Sequence, residues 1–149
     1  MITILNTRQA AKAEVVFASR HVVFPDGEML EADDPEDSSR THVDTSCMAI
    51  FRPAFRALPG WCQMPRELGP RCDRVMFGLL KSEFRCAWTG HKSVFFETQY
   101  RGHFMLARKE IPAAAKFYIP MSPDLIARVN QEYAQRSYRP CRIRGFEES

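Results

Sequence analysis

The clearest pattern of hydrophobic residues in this chain predicts a helix that begins near Gly69. Gly69 and Pro70 suit a helix start, because proline fixes φ and its missing N–H would be unsatisfied in the first turn anyway. At roughly 100° per residue, one apolar stripe follows, made of Met76, Phe77, Leu80 and Phe84. We therefore predict a helix that runs to about Phe84.

Asp73 lies in the middle of this apolar stripe. The opposite face of the predicted helix carries Arg71, Arg74, Lys81 and Ser82. A carboxylate on an apolar face is costly to bury unless it has a partner or a chemical role. Two interpretations stay open: Asp73 accepts N–H bonds from its own first turn or pairs with an arginine, or it belongs to a functional site.

In the first half of the chain, apolar runs and turn residues predict strands. Residues 14–18 and 21–24 are strand-like, and a turn at Pro25-Asp26-Gly27 precedes residues 28–30, which predicts a hairpin over 14–31. The apolar run 45–51 predicts a buried strand. Arg52-Pro53 ends it, one helical turn is expected over 54–58, and Pro59-Gly60-Trp61 breaks that turn.

In the second half, two strands are predicted at 85–88 and 93–98, around a turn at Thr89-Gly90-His91. Residues 99–121 lack a clear period, which predicts a long loop. Ser122-Pro123-Asp124 then starts a predicted helix to about Arg136.

Composition excludes some classes of protein. The 149 residues carry a net charge of +3, too small to indicate nucleic-acid binding. No apolar run approaches the roughly 18 residues that span a bilayer, and the N-terminus lacks the apolar segment of a signal peptide. We therefore expect a cytoplasmic protein, or a fragment whose anchors lie elsewhere.

The cysteines indicate neither a disulfide framework nor a zinc site. There are 5 of them, an odd number, and no pair has C-x-x-C spacing. We predict reduced and mostly buried thiols.

Three polar groups are candidates for chemistry. The acidic residues of 31–37 invite a metal-binding interpretation, but Pro35 interrupts them and a buried upstream strand is missing, so a solvated loop is predicted. His42 and Asp44 share one side of a strand and could bind a metal or a substrate hydroxyl, or Asp44 could satisfy a turn. His103, in the predicted loop, is either a metal ligand or a surface histidine.

Two stretches of the chain resemble family-two glycosyltransferases of the GT-A fold. The first is residues 42–55 (HVDTSCMAIFRPAF) with LPGW at 58–61, MP at 64–65 and GPRCDR at 69–74. The second is WTGHKSV at 88–94 with TQYRGHF at 98–104. The resemblance covers roughly residues 14–115 in order and spacing. This segment is similar to the second half of these enzymes.

The resemblance implies a fold of the α/β class, an α+β-like fragment whose mixed sheet has flanking helices. It divides one partial domain, residues 1–149, into a lead-in (1–13), a glycosyltransferase-like core (14–115) and a C-terminal helix and tail (116–149). The nucleotide-binding half of the family, with its Asp-x-Asp, would precede residue 14. The chain would then correspond to the acceptor-side half.

The resemblance also implies a reaction and a set of residues. Asp73 matches the family's catalytic base, although Cys72 stands where the family usually has an acidic residue. It would accept the proton of a hydroxyl acceptor that attacks the anomeric carbon of a nucleotide sugar, with inversion. A divalent cation, Mg²⁺ or Mn²⁺, would assist the leaving group, with His103 as its ligand. The expected substrate-binding residues are Asp44, Trp61, Arg74 and Arg101.

The expected partners are a nucleotide-sugar donor and a glycan or lipid acceptor, without nucleic acid. A complementary N-terminal half or a second copy of the chain is also expected. Two rival hypotheses stay open. One is a non-catalytic module that docks on another chain or binds a glycan through Trp61 and Trp88. The other is a small metal protein that uses His42, His103 and the cysteines.

Overall fold

The computed structural model describes residues 2–31, 43–62 and 72–117, and the single positions 64, 68, 124, 127, 128 and 131. These residues contain both helices and strands. The regular elements, in chain order, are α1 (Ile2–Ala11), β1 (Val15–Val23), β2 (Met48–Ile50), α2 (Leu58–Cys62), α3 (Cys72–Glu83), β3 (Cys86–Glu97) and α4 (Arg101–Leu106). Short 3-10 helices occupy Thr45–Cys47 and Arg52–Ala57.

The three strands form a mixed sheet in the order β2-β1-β3. β2 pairs antiparallel with β1, with Val15 opposite Ile50. β3 pairs parallel with β1, with Val15 opposite Cys86. A parallel pair needs a crossover between its strands, and α3 belongs to that crossover. The predicted general α/β class is therefore confirmed.

An apolar core joins α3 to one face of the sheet. Phe17 of β1 packs edge-on against Phe77 of α3 at 5.1 Å between ring centroids, and against Trp88 of β3 at 4.8 Å. Met76 and Leu80 of α3 are fully buried in this core. Burial of large apolar side chains stabilises each by about 2 kcal/mol, so α3 is held firmly on the sheet.

This packing brings the start of α3 towards the carboxyl ends of the parallel strands. The end of α3 leads through Phe84 directly into the start of β3, so the helix runs back along the sheet. Its 12 residues correspond to about 18 Å, so from the amino edge of the sheet it reaches past the middle of β1, whose 9 residues extend over about 30 Å, towards the opposite edge. We call these the amino edge and the carboxyl edge.

A second apolar cluster covers the carboxyl edge. Val22, Phe24 and Leu30 are buried there together with Phe104 of α4. Phe24 and Phe104 pack with their rings at 60° and 5.2 Å between centroids. This cluster fixes α4 beside the ends of β1 and β3.

The predicted hairpin over 14–31 is partly correct. The two strand-like stretches are one continuous strand, β1, because its central Ser19 and Arg20 stay in the ladder with β3. The predicted turn is confirmed: the Phe24 N–H donates to Glu28 O at 2.8 Å, and Gly27 has φ of +85°. The return segment forms a single bridge, between Val23 and Met29.

The prediction of two strands around Thr89-Gly90-His91 is wrong. β3 runs unbroken from Cys86 to Glu97 and stays paired with β1 on both sides of the predicted turn. Gly90 adopts φ of +70°, and the ladder shifts register opposite Ser19. An irregularity in the strand therefore absorbs the turn residues.

Three further boundaries differ from the prediction. Residues 45–47 are a 3-10 turn, because the Asp44 side chain caps them, so the strand predicted over 45–51 is reduced to β2. The helical turn that Pro59–Trp61 should break instead continues through Cys62, since Pro59 lies in the first turn of α2, where its missing N–H is harmless. The predicted loop after residue 99 contains α4, which is too short to show a period.

The lead-in 1–13 contains the exposed helix α1, whose Arg8 guanidinium lies 4.3 Å from the Phe51 ring centroid. Within the predicted helix 124–136, the four described positions are helical, and the rest lie outside the described residues. So do His42 and all of the acidic loop except its exposed first residue, Glu31. Among the described helices, none has both the length and the apolar character needed to cross a membrane.

Candidate functional site

Asp73 stands at the second position of α3, and its side chain is largely withdrawn from water. One carboxylate oxygen accepts the Arg74 backbone N–H at 2.8 Å. Burial raises the pKa of Asp73 to about 6, against the lowering effects of that N–H bond and of the Arg74 charge. The negative charge of Asp44 raises the pKa further, and the positive charge of Arg20 lowers it.

Asp44 provides the second carboxylate of this group. Its Oδ1 accepts the Ser46 backbone N–H at 2.8 Å, and its Oδ2 accepts a bond from the Arg20 guanidinium at 3.0 Å. The first contact caps the 3-10 turn Thr45–Cys47. This is the turn-satisfying role that the sequence left open for Asp44, although it does not test a role in substrate binding.

Arg20, on β1, is the buried cation of the group. Its side chain is only 3% exposed, and besides Asp44 it contacts Phe96 on β3, with the guanidinium carbon 4.1 Å from the ring centroid. A cation over an aromatic face in a water-excluded position is stabilised by the ring quadrupole, by about 2 kcal/mol. Arg20 therefore connects Asp44 with the end of β3.

His103 is held just beyond the end of β3. It is buried in α4, and its Nδ1 lies 2.5 Å from the Thr98 hydroxyl oxygen. That oxygen also accepts the Tyr100 backbone N–H at 3.1 Å. If the Thr98 hydroxyl donates this hydrogen bond to Nδ1, the N–H of the neutral imidazole is on Nε2.

Aromatic contacts link His103 to the Arg20 group. The Phe96 ring lies 6.4 Å from the His103 ring and 6.3 Å from the Tyr100 ring. The carboxyl edge therefore carries one continuous group of side chains from Asp73 to His103. Sites in α/β sheets commonly lie at this edge.

The structure brings together only some of the residues predicted for the site. Arg74 and Asp44 each act electrostatically on Asp73, and His103 is linked to Asp44 through Phe96 and Arg20. Trp61 instead lies in α2, half-buried against the apolar core. Arg101 lies at the start of α4 with its guanidinium 4.4 Å from the exposed Phe117 ring.

Arg74 differs from the sequence prediction, which placed it on the outer face of the helix. Its side chain is buried, as are the consecutive residues Val75, Met76 and Phe77. Three successive residues of a helix cover most of its circumference, so the start of α3 is enclosed on more than one apolar stripe. This enclosure, which the 3.6-residue period does not show, also explains the desolvation of Asp73.

The described residues do not by themselves fit a divalent cation. Among them, no three histidine, cysteine, aspartate or glutamate side chains converge as metal ligands do, and His103 Nδ1 faces Thr98. The cation and the role of His103 as its ligand stay predictions.

Sequence reasoning did not find Arg20, Phe96 or Thr98. Arg20 interrupts the apolar run VVFASRHVV of β1 and lies between the two stretches, 14–18 and 21–24, that were predicted as separate strands. The signal for a buried Arg20 was its position inside a run of otherwise mostly apolar strand residues. In a central strand, such a long cationic side chain needs a partner within the protein.

Among the described residues, no reactive thiol lies near Asp73. The described cysteines Cys47, Cys62, Cys72 and Cys86 are reduced, and of these four only Cys47 is fully buried. Burial and the charge of Asp73 raise the pKa of Cys72, and burial raises that of Cys86 to about 11. Both groups stay protonated near neutral pH.

A second polar region lies at the amino edge. There the end of α1, the start of β1 and the residues before β3 surround a cavity of about 420 Å³. Its charged lining residues are Arg8, Lys12, Glu14 and Arg85. Glu14 Oε2 accepts the Arg85 backbone N–H at 3.0 Å, which ties the starts of the two strands together.

Comparisons with known proteins identify no relative: no family model, curated protein or solved structure matches this chain.

Proposed function

We propose that this chain is the acceptor-side part of an inverting glycosyltransferase, with Asp73 as the catalytic base. The observation that supports the proposal is the pKa of about 6 for a carboxyl group that heads a buried helix at the carboxyl edge. A general base works best when its pKa lies close to the working pH. At neutral pH, Asp73 is ionised and is more basic than an ordinary aspartate.

The proposed reaction is a single displacement. The oxygen of the acceptor hydroxyl bonds to the anomeric carbon while the bond from that carbon to the nucleoside diphosphate breaks. The hydroxyl proton passes to the Asp73 carboxylate, and the diphosphate leaves with the bonding electron pair. Attack opposite to the leaving group inverts the anomeric carbon.

Neighbouring groups would support this step by their charges. Asp44 disfavours a second negative charge nearby and so raises the basicity of Asp73, while Arg20 and Arg74 keep its pKa from rising further. Arg101, at the start of α4, is proposed for the donor side. The divalent cation and the cytoplasmic location stay predictions, and no step depends on the cation.

The test is turnover with nucleotide sugars in the presence of Mn²⁺, measured as release of nucleoside diphosphate. We expect release by the wild-type chain and its complementary half, and a loss of about 10² to 10⁴-fold in Asp73→Asn, since that variant cannot accept the proton. Asp26→Asn is the matched control, because Asp26 is an exposed aspartate in the β1 turn. Equal rates in wild type and Asp73→Asn would eliminate the base assignment.

A second candidate function, a non-catalytic docking module, is favoured by a different observation. Large apolar side chains are exposed on β3 and beside α4: Phe95 is 71% exposed, Phe117 69% and Met105 66%. Single exposed side chains of this kind are common, whereas a contiguous group of them is typical of a surface that another chain covers. Light scattering separates the cases: a stable dimer without any turnover supports the module, and a monomer with turnover supports the enzyme.

A further inference from the structure

The burial of Arg20 requires an explanation from its surroundings. A guanidinium that is 97% withdrawn from water, as its 3% exposure implies, is stable only when it is paired and hydrogen-bonded. Arg20 also lies on the central strand of the sheet, between β2 and β3. Its position therefore depends on groups that come from other elements.

Two such groups contact Arg20 in different ways. The Asp44 carboxylate, from the segment before β2, accepts a hydrogen bond at 3.0 Å. The Phe96 ring, near the end of β3, stacks under the guanidinium at 4.1 Å. The hydrogen bond is made by one terminal nitrogen, Nη1, while the ring contact is measured at the central carbon, so one guanidinium serves both contacts.

Each of these groups belongs to one half of the candidate site. The acidic half consists of Asp44 and Asp73, and the histidine half consists of Phe96, Tyr100 and His103. Asp44 acts on Asp73 through its charge. Phe96 lies against Tyr100 and His103, whose Nδ1 is held by Thr98. Arg20 is therefore the group that contacts both the acidic half and the histidine half.

We propose that Arg20 is a positioning residue of the candidate site, which holds the Asp44 carboxylate beside Asp73 and the Phe96 ring beside His103. The role of this site in catalysis rests on the proposed function, but the contacts of Arg20 do not depend on it. Lysine would not replace Arg20, because a compact ammonium group lacks the planar face and the fork of donors that serve both contacts.

The titration of Asp73 reports the acidic half of this arrangement. The charged groups that act on it come from each neighbouring element: Arg74 from its own helix, Asp44 from the segment before β2, and Arg20 from β1. Cys72, beside it, stays a neutral thiol near pH 6, because its own pKa is raised. Loss of Arg20 and loss of Asp44 should therefore move the Asp73 titration in opposite directions.

The experiment is a ¹³C NMR titration of the Asp73 carboxyl in the whole 149-residue chain. In Arg20→Met we expect the midpoint to rise by roughly one pH unit, because a cation is lost and Asp44 is left uncompensated. In Asp44→Asn we expect it to fall by a similar amount, because a like charge is lost. A general loosening of the fold would not produce shifts of opposite sign.

The histidine half is tested by Arg20→Lys, which keeps the charge and loses the stacking. We expect the ring resonances of Phe96 and His103 to shift in this variant while the Asp73 midpoint moves less than in Arg20→Met. Arg8→Lys is the matched control, because Arg8 also stacks on a phenylalanine, Phe51, at 4.3 Å, but is not among the groups that act on Asp73. It should leave both readouts unchanged.

Two results would overturn the proposal. One is an unchanged Asp73 midpoint in a folded Arg20→Met variant. The other, which decides the case if Arg20→Met does not fold, is an Arg20→Lys spectrum whose Phe96 and His103 resonances match the wild type. Neither readout uses turnover, so the positioning role and the proposed glycosyl transfer can fail independently.

Discussion

The two edges of the sheet use the same residue types in different physical states. At the carboxyl edge, Arg20 is almost fully buried, and Asp73 is desolvated enough that its pKa is about 6. At the amino edge, the charged groups Arg8, Lys12 and Arg85 are exposed around an open cavity. Burial, more than composition, separates the two regions.

This difference shows at which edge charged groups contribute most to the stability of the fold. Removing one partner of a buried pair leaves a charge without compensation, which is strongly destabilising, whereas exposed pairs contribute little. Chemistry that depends on a perturbed group therefore belongs at the carboxyl edge. Four predictions test this contrast.

The largest expected effect is on stability in Asp44→Ala. This variant loses the cap of the 3-10 turn and a partner of the buried Arg20 guanidinium, so we expect a loss of about 3 kcal/mol in the free energy of unfolding. Glu14→Ala, the amino-edge counterpart, should lose no more than about 1 kcal/mol. Urea denaturation at pH 7 measures both. Equal losses would remove the contrast between the edges.

The next effect concerns the pH dependence of stability. Because the pKa of Asp73 is raised from 3.8 to about 6 on folding, the folded state binds the proton more tightly than the unfolded state does. The contribution of Asp73 to stability is therefore fully present below pH 4 and is lost as the pH rises through 6. Asp73→Asn mimics the protonated form, so we expect it to be more stable than wild type by about 3 kcal/mol at pH 8 and equally stable below pH 4.

In Asp26→Asn we expect the opposite pH dependence of stability. The hydrogen bond from Lys109 lowers the pKa of Asp26, so this carboxylate contributes stability above its unfolded pKa that is lost as the pH falls. Its replacement should weaken the fold slightly at pH 8 and leave it unchanged in acid. Denaturation curves at both pH values compare the two variants, and a gain in Asp26→Asn would contradict the assignment.

The smallest expected effect concerns whether every part of the amino edge is accessible to solvent. Cys86 lies there at the start of β3, and its thiol donates to Leu80 O at 3.4 Å. Since its pKa is raised to about 11, little thiolate forms at pH 8. We expect iodoacetamide to modify Cys86 roughly tenfold more slowly than the exposed Cys62. Peptide mass spectrometry over time gives both rates, and similar rates would mean that the start of β3 opens readily.

Local chemistry made parts of the fold predictable. Pro70 and the stripe from Met76 to Phe84 predicted α3 to within a few residues, and Pro25-Asp26-Gly27 predicted the turn after β1. These features depend on φ preferences and on a period within one element. The general α/β class was expected from the family resemblance and does not come from these local features.

Features that depend on other elements were not predictable. Gly90 signals a turn locally, but pairing with β1 keeps it inside a strand. Arg74 has an outward position on an isolated helix, yet tertiary packing buries it. For the site, the position of Asp73 on the apolar face was evident, whereas the link from Arg20 through Phe96 to His103 joins residues far apart in sequence and becomes visible only in the sheet.

The register shift between β1 and β3 has a consequence for how this protein can change. Side chains three positions apart on a regular strand point to opposite faces. Yet Phe17 packs against α3, and Arg20 interacts with Asp73 at the start of the same helix. The irregularity at Ser19, opposite Lys92, restores the common face. Substitutions near Ser19 and Gly90 can vary the surface, but loss of one preceding residue would place His21, and gain of one would place Ser19, at the buried position of Arg20. The geometry therefore constrains segment length here more strictly than composition.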